Sequence, residues 1–208
     1  MAMEPMALKP ELRKRAAQAV AAAFYDYPSF RHYFPDPALR ARVLPRYMER
    51  ILHCAQIFGG VWATADAAGV LFFLSPGHTR MSDWDYVRGG MLAASLKVGL
   101  RRYRSLADMR ADGERLAHAQ ERLLAGRPHY YLWGLAVDPS KQGGGVGTAL
   151  LEVFLQKTDG ERLPVYLETH REANVPYYEK RGFKRIGTED LSEHSLAFWC
   201  MLHEPEDN

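Results

Sequence analysis

The sequence predicts a mixed α/β domain: one sheet flanked by helices, antiparallel at its start, parallel near its centre, and elaborated by helices in the N-terminal half. Three patterns within the 208 residues carry that prediction. Residues 61–64 and 69–74 are short apolar runs separated by Ala65-Asp66-Ala67-Ala68, which has the composition of a hairpin loop. Residues 130–137 are apolar on both faces, as expected of a central strand, and lead through a glycine loop and an amphipathic helix to a second strand at 165–169. A strand, helix, strand crossover makes those two strands parallel.

The elements follow in order. Pro10 suits a first helical turn, and the residues through Tyr25 are helix formers with Leu12, Ala16, Ala19, Val20 and Ala23 on one stripe; Asp26-Tyr27-Pro28 stops that helix. A second helix covers residues 37–58, with Leu39, Val43, Leu44, Tyr47, Ile51 and Leu52 on its buried face and Gly59-Gly60 ending it. After the hairpin, helical periodicity returns from Asp83 to about Gly126. It falls in two pieces broken near Arg104-Ser105, with Ser105 as candidate cap, and reads as an insertion or lid over the sheet. Asp138-Pro139 ends the central strand; Val146, Leu150, Val153 and Phe154 mark the next helix, through Lys157. Residues 174–181 form a short helix ended by Gly182, residues 183–187 and 195–202 two closing strands, and residues 204–208 a frayed tail.

Composition excludes more than it suggests. With 27 basic and 25 acidic residues the net charge is +2, too balanced to imply a nucleic-acid or membrane partner. Cys54 and Cys200 supply neither a disulfide framework nor a multi-cysteine metal site, so no metal is expected and a reducing cytoplasm is the natural location. Residues 9–24 imitate a signal peptide, but the apolar run is short and contains Gln18, which favours an amphipathic first helix. The longest uncharged apolar stretch, residues 67–79, is broken by Pro76 and glycines and falls short of the roughly 20 residues a bilayer demands.

The decisive segment is Gln142-Gly143-Gly144-Gly145-Val146-Gly147-Thr148, set between a buried strand and a helix. Residues without side chains let successive backbone N–H groups converge, and the helix adds its unpaired amides and positive dipole end, so the loop suits a diphosphate. A nucleotide-hydrolysing loop would carry a lysine after its last glycine, whereas Thr148-Ala149 follow Gly147. A dinucleotide fold would place G-x-G-x-x-G early in the chain, whereas this loop lies late and reads Q-x-x-G-x-G. A tight connection without a ligand is the remaining alternative, at the entropic cost of three adjacent glycines.

That loop, with the run from Leu135 to Leu151, resembles the acetyl-coenzyme A segment of the GCN5-related N-acetyltransferases (GNAT). Downstream, Tyr178-Glu179-Lys180-Arg181-Gly182-Phe183 is similar to the family's closing motif, and the spacing of Asn174 and Pro176 before Tyr178 is similar to the branch containing puromycin N-acetyltransferase. The resemblance covers residues 129–203. It implies one N-acetyltransferase domain over residues 1–208, with 129–203 binding acetyl-coenzyme A and 1–128 supplying helices, hairpin and the acceptor-site insertion.

The resemblance also implies roles. The amides of Gln142, Gly143, Gly144, Gly145, Val146, Gly147 and Thr148 grip the diphosphate; Leu135, Ala136 and Val137 line the pantetheine arm, and an amide near Val137 meets the charge that develops on the thioester oxygen. Asn174 contacts the cofactor arm, with a helix cap as the competing explanation. Tyr178 protonates the departing thiolate, its ordinary pKa of about 10 being matched to a thiol, with a core tyrosine as the rival. An ammonium has no lone pair, so a base is required; Glu168 is the first candidate, placed by strand alternation on a different face from Leu167 and Thr169, and His170 and His129 are reserves. Its rival is a solvated or salt-bridged strand glutamate. Neither Cys54 nor Cys200 falls in the motif region near a plausible base, so attack is direct, in a ternary complex.

The expected activity is transfer of an acetyl group to a primary amine of a small molecule, with association into a homodimer left open. A non-catalytic acyl-coenzyme A sensor and a protein lysine or N-terminal acetyltransferase are the alternatives. Trp133 and the set Tyr25, Tyr27, Phe30, Trp84 and Tyr86 belong to the core or line the acceptor site. Arg101-Arg102-Tyr103-Arg104 is a solvated helix end or touches a nucleic acid or the cofactor's adenosine phosphate.

Overall fold

The computed structural model describes residues 6–90, 103–191 and 196–205. Its strands are β1 (Met6–Ala7), β2 (Gly59–Ala63), β3 (Gly69–Leu74), β4 (Tyr130–Val137), β5 (Val165–Thr169), β6 (Phe183–Leu191) and β7 (Leu196–His203). Its helices are α1 (Arg13–Phe24), α2 (Pro28–Tyr33), α3 (Pro37–Phe58), α4 (Asp83–Arg88), α5 (Tyr103–Leu124), α6 (Val146–Gly160) and α7 (Val175–Glu179). The strands form one sheet in the order β1-β2-β3-β4-β5-β7-β6. Every pair is antiparallel except β4 and β5, in agreement with the mixed sheet expected from the sequence.

Local chemistry explains the boundaries. Helix α3 begins where Asp36 accepts hydrogen bonds from the amides of Ala38 and Leu39 at 2.9 and 3.2 Å. It ends at Phe58, and Gly59-Gly60, expected only as a stop, open β2 instead. A Cβ on Gly59 would stand 2.0 Å from the Phe73 carbonyl oxygen, so this close approach of two backbones admits no side chain. Pro28, read as ending α1, occupies the first turn of α2, where its missing N–H costs nothing. Ser105 does not cap a helix, because α5 already runs from Tyr103. The first helical piece, expected from Asp83 to near Arg104, stops as α4 at Arg88; residues 91–102, Arg101 and Arg102 among them, lie outside the described residues, and the side chains of Tyr103 and Arg104 are not described either. The expected tail begins later than Glu204, which takes two hydrogen bonds of 2.8 Å from Arg127.

Two layers of helix cover the sheet. On one face α1 and α3 bury Val20, Leu44, Met48 and Leu52 against Val61, Val70, Phe72 and Ala136. Farther along that face α5 sets Ala119 and Leu124 against Tyr166, Phe198, Cys200 and Leu202. On the opposite face α6 presses Leu150, Leu151 and Phe154, all fully buried, onto Leu71, Phe73, Leu132, Val165 and Leu167. Each such side chain contributes about 1.5–3 kcal/mol, so the position of the helix and of the loop before it is set by apolar burial. Among the described residues no helix is long and apolar enough to cross a membrane.

One irregularity positions the site. Phe72 pairs with Gly134 and Phe73 with Leu132, which leaves Trp133 as an extra residue in β4. Such a bulge bends its strand. Before it, β4 pairs with β5 at Tyr130–Val165 and Tyr131–Tyr166; beyond it the two strands share no further pair. Gly134 is required here, since its Cβ would approach the Phe72 ring to 2.2 Å. Gly134→Ala should lower unfolding free energy in urea by about 1–3 kcal/mol, the usual range for overpacking, and Phe72→Leu in the same chain should recover part of the loss. Equal stability of Gly134→Ala and the parent would refute the role given to this contact.

Candidate functional site

The loop after β4 is built residue by residue. Asp138 accepts hydrogen bonds from the Ser140 amide and hydroxyl at 2.9 and 2.6 Å, which turns the chain into a short helical turn at Pro139–Lys141. Gln142 folds back and donates from its side-chain amide to the Val137 carbonyl at 3.0 Å. Gly143 and Gly145 adopt φ of +83° and +78°, in the left-handed region that favours glycine. A Cβ at either would meet nothing within 4 Å, so conformation, not crowding, selects the residue type.

Gly145 precedes α6 with no side chain capping the helix. The Ala149 amide donates to the Gly145 carbonyl at 3.0 Å, and the preceding amides of Val146, Gly147 and Thr148 have no partner within the helix. Here the positive end of the helix dipole and several N–H groups converge at one place. A Cβ on Gly147 would lie 3.4 Å from both Val137 Cγ2 and the Tyr177 hydroxyl. The backbone there passes close to β4 and α7. These donors and this bare backbone fit a diphosphate.

The adjoining wall is the second half of β4. The Asp138 amide donates to Ala68 at 2.8 Å, so that residue faces β3. Backbone groups alternate along a strand, which turns those of Leu135 and Val137 away from β3 and toward the gap before β5. Ala136 differs from the sequence-based expectation. Paired with Val70 and buried against α1 and α3, it turns its backbone to β3 and not to the gap.

On the other wall, β5 divides the titrating groups between its faces. Glu168 shares a face with Tyr166 and stands half-buried toward α5, opposite the face that carries Leu167 and α6. Burial pushes its carboxyl up to about 7, and the Tyr131 and Tyr166 hydroxyls, which favour the charged form, offset part of that rise. Tyr178 lies on the α6 side, edge-on to Phe183 with centroids 5.5 Å apart. Burial raises its hydroxyl well above the ordinary value of 10.0, with a smaller contribution from Tyr27, while Arg181 pulls the other way. The close acidity match to a thiol expected from the sequence is therefore absent. Near neutral pH this hydroxyl is a firm hydrogen-bond donor.

Asn174 does not cap α7. Its side-chain amide donates to Thr169 Oγ1 at 3.0 Å, an atom that also lies 3.0 Å from the Tyr27 hydroxyl. Tyr27 in turn accepts from the His170 amide at 2.8 Å and lies within electrostatic reach of Glu168 and Tyr178. Tyr27, from the α1–α2 connection, thus joins the site through contacts that cross 142 residues of sequence. Sequence reading placed it in a helix stop and among aromatics open to either role.

The reserve bases part company. His170 packs edge-on to Tyr27 at the end of β5, and burial lowers its pKa. His129 precedes the opposite end of β4 from the glycine loop, and both ring nitrogens are engaged, by Gln120 at 2.9 Å and Arg127 at 2.7 Å, which removes it from the site. Burial pushes the Cys54 and Cys200 thiols up to about 11 and about 12, so neither offers a thiolate near neutral pH. Trp133 packs edge-on to Phe72 beside the α1–α3 core, and Phe30 joins the same cluster; Tyr25 lies under the Arg40 guanidinium at 4.5 Å. Trp84 is 69% exposed and Tyr86 38% exposed.

Residues 76–183 match the model of the acetyltransferase (GNAT) family, a span that reaches well upstream of residue 129. An uncharacterized N-acetyltransferase of Schizosaccharomyces pombe is 29% identical over 208 aligned residues, covering 93% of this chain and 80% of the relative. A histone acetyltransferase HPA2 and related acetyltransferase from Corynebacterium glutamicum has a TM-score of 0.67 at 18% identity, covering 100% of this chain and 99% of that one. Arylalkylamine N-acetyltransferase 2 from Aedes aegypti has a TM-score of 0.61 at 10% identity, covering 99% and 100%. These structures share the fold.

Gly145→Asp should reduce coenzyme A affinity by about a hundredfold or more in calorimetry, because it sets a carboxylate against phosphate. Gly145→Asn, neutral and tolerant of left-handed φ, should lose much less. Equal losses would show strain, not charge, to be the cause.

Proposed function

We propose that this chain, which belongs to the acetyltransferase (GNAT) family and uses acetyl-coenzyme A, acetylates the primary amine of a small molecule by direct attack in a ternary complex. The observation that carries this reading is the gap beyond the Trp133 bulge, with free amides at its mouth, Glu168 on one face of β5 and Tyr178 on the other. Bound acetyl-coenzyme A supplies an activated acyl group whose leaving group is a thiolate.

The residues then divide the work. The amides of residues 142–148 hold the diphosphate, and the backbone of Leu135 and Val137 receives the pantetheine arm, with the Val137 amide directed at the thioester oxygen. Asn174, fixed against Thr169, borders that arm. Glu168 takes the proton that the acceptor ammonium must shed, for which a carboxyl near 7 is well poised. Tyr178 donates a hydrogen bond that stabilises the departing thiolate as charge develops there. In this reading residues 1–128 bring the acceptor and residues 129–203 hold the cofactor.

A small amine is supported by what stands beside Glu168: the half-buried Tyr131, an aromatic neighbour suited to a compact cation, packed against the fully buried Tyr166 and Phe198. The arylalkylamine enzyme of like fold acts, by its name, on such amines. A purely sensing role would leave no use for a half-buried carboxyl poised near neutrality. The spacing of Asn174 and Pro176 before Tyr178 supports the finer likeness to the puromycin N-acetyltransferase branch. Two buried thiols suit a reducing cytoplasm.

An amine panel screened for free-thiol release from acetyl-coenzyme A tests the reading; turnover of protein lysines with no small amine accepted would replace it. With the best amine, kcat/KM should rise with pH through about 7 as Glu168 loses its proton, and Glu168→Gln should remove that limb and cost roughly 10²–10⁴ in rate. The same shift makes the folded state hold this proton more tightly than the unfolded chain. Stability should therefore fall as pH rises from 4.5 to about 7, and Glu168→Gln should flatten the fall. Tyr178→Phe should lower kcat with little change in coenzyme A affinity; unchanged kcat across pH would end its assigned role.

A further inference from the structure

We propose that Tyr177 and Arg181 extend the glycine loop into a side-chain cradle, in which the Tyr177 hydroxyl donates a hydrogen bond to the diphosphate of coenzyme A. The inference rests on the loop being the diphosphate site. Tyr177 reaches α6 from α7, and its hydroxyl oxygen lies 3.4 Å from where a Cβ on Gly147 would stand, beside the free amides of the first helical turn. That oxygen is closed off from solvent and has no hydrogen-bond partner among the described residues. A buried hydroxyl without a partner is costly to keep, and its position at an anion-binding turn gives it a use.

Arg181 holds the ring in place. Its guanidinium carbon lies 3.7 Å from the Tyr177 ring centre, Nη1 donates to the Tyr177 carbonyl at 2.6 Å, and Nη2 donates to Thr148 Oγ1 at 2.5 Å. Nε is buried and has no hydrogen-bond partner among the described residues. A cation beside the first turn of a helix opposes the helix dipole, so this placement is unfavourable until an anion joins it. Helix amides, guanidinium and phenol thus converge on the same charge. The Tyr177 ring packs edge-on to Tyr178 with centroids 5.2 Å apart, while its hydroxyl and the Arg181 guanidinium lie against the first turn of α6, so both side chains are assigned to binding.

The test is calorimetry of Tyr177→Phe with coenzyme A and with 3′-dephospho-coenzyme A, alongside melting of the unliganded protein. Loss of a hydrogen bond to a charged group should weaken both ligands equally, about tenfold, while the unliganded variant melts no lower than the parent because it has shed a partnerless hydroxyl. Unchanged affinity would overturn the proposal, as would a loss confined to coenzyme A, which would assign the hydroxyl to the 3′-phosphate. A variant that melts lower and binds weakly would mean that Tyr177 is only structural. Arg181→Gln should make coenzyme A binding less sensitive to salt, and an unaltered salt dependence would remove Arg181 from the cradle. Gly145→Asp separates the two readings: if it binds coenzyme A normally the loop assignment falls, whereas if it fails to bind and Tyr177→Phe binds normally only this inference falls.

Discussion

The parting of β4 from β5 is the constraint on which the site depends. Two residue pairs join these strands, and past them the extra residue Trp133 bends β4 away. In an unbroken sheet the backbone groups of Leu135 and Val137 would be spent on a neighbouring strand. Here they border an opening instead, while β3 pairs with β4 on both sides of the bulge and β7 pairs with β5 along its whole length. The opening is therefore held from outside by rigid partners, with α6 bolted beneath it through Leu150, Leu151 and Phe154. Pre-organised donors of this kind need no rearrangement to meet a ligand.

Burial acts on both proton-bearing groups in the same direction and with different consequences. For Glu168 it lifts the carboxyl from the acid range to neutrality, where small changes in pH alter its charge. For Tyr178 it lifts a group that was already neutral, which fixes its state. One physical effect yields a titrating group on the α5 side of β5 and a non-titrating donor on the α6 side. The strand between them keeps the two environments apart.

Much of this was legible in the sequence, and the reasons are local. A loop that needs two left-handed residues and a bare helix start must be written in glycine, so its place between strand and helix could be read directly. Strand alternation sufficed to put Glu168 on the face away from Leu167. The apolar stripe of Leu39, Leu44, Ile51 and Leu52 announced α3 in the same local way. What could not be read depends on residues distant in the chain. The bulge at Trp133 arises where β4 meets Phe72, and it decides which way Ala136 turns. Asn174 carries a strong local preference for capping, yet a partner five residues back at Thr169 takes its side chain. Tyr27 joins β5 from the N-terminal helices, and the acidity of Tyr178 follows from packing that no motif encodes. Pro28 is a different kind of miss, since a proline that ends one helix is equally able to begin the next.

The strand order has a bearing on how the molecule is made. β7 is the last strand in sequence yet lies inside the sheet, between β5 and β6. During synthesis β5 emerges with one edge open, and β6, made next, does not close it. Until β7 leaves the ribosome and inserts, the nascent chain carries an unsatisfied apolar ladder of the type that recruits other chains. The free edge of β5 is thus covered only when β7 inserts, which makes that pairing the step on which completion of the sheet depends.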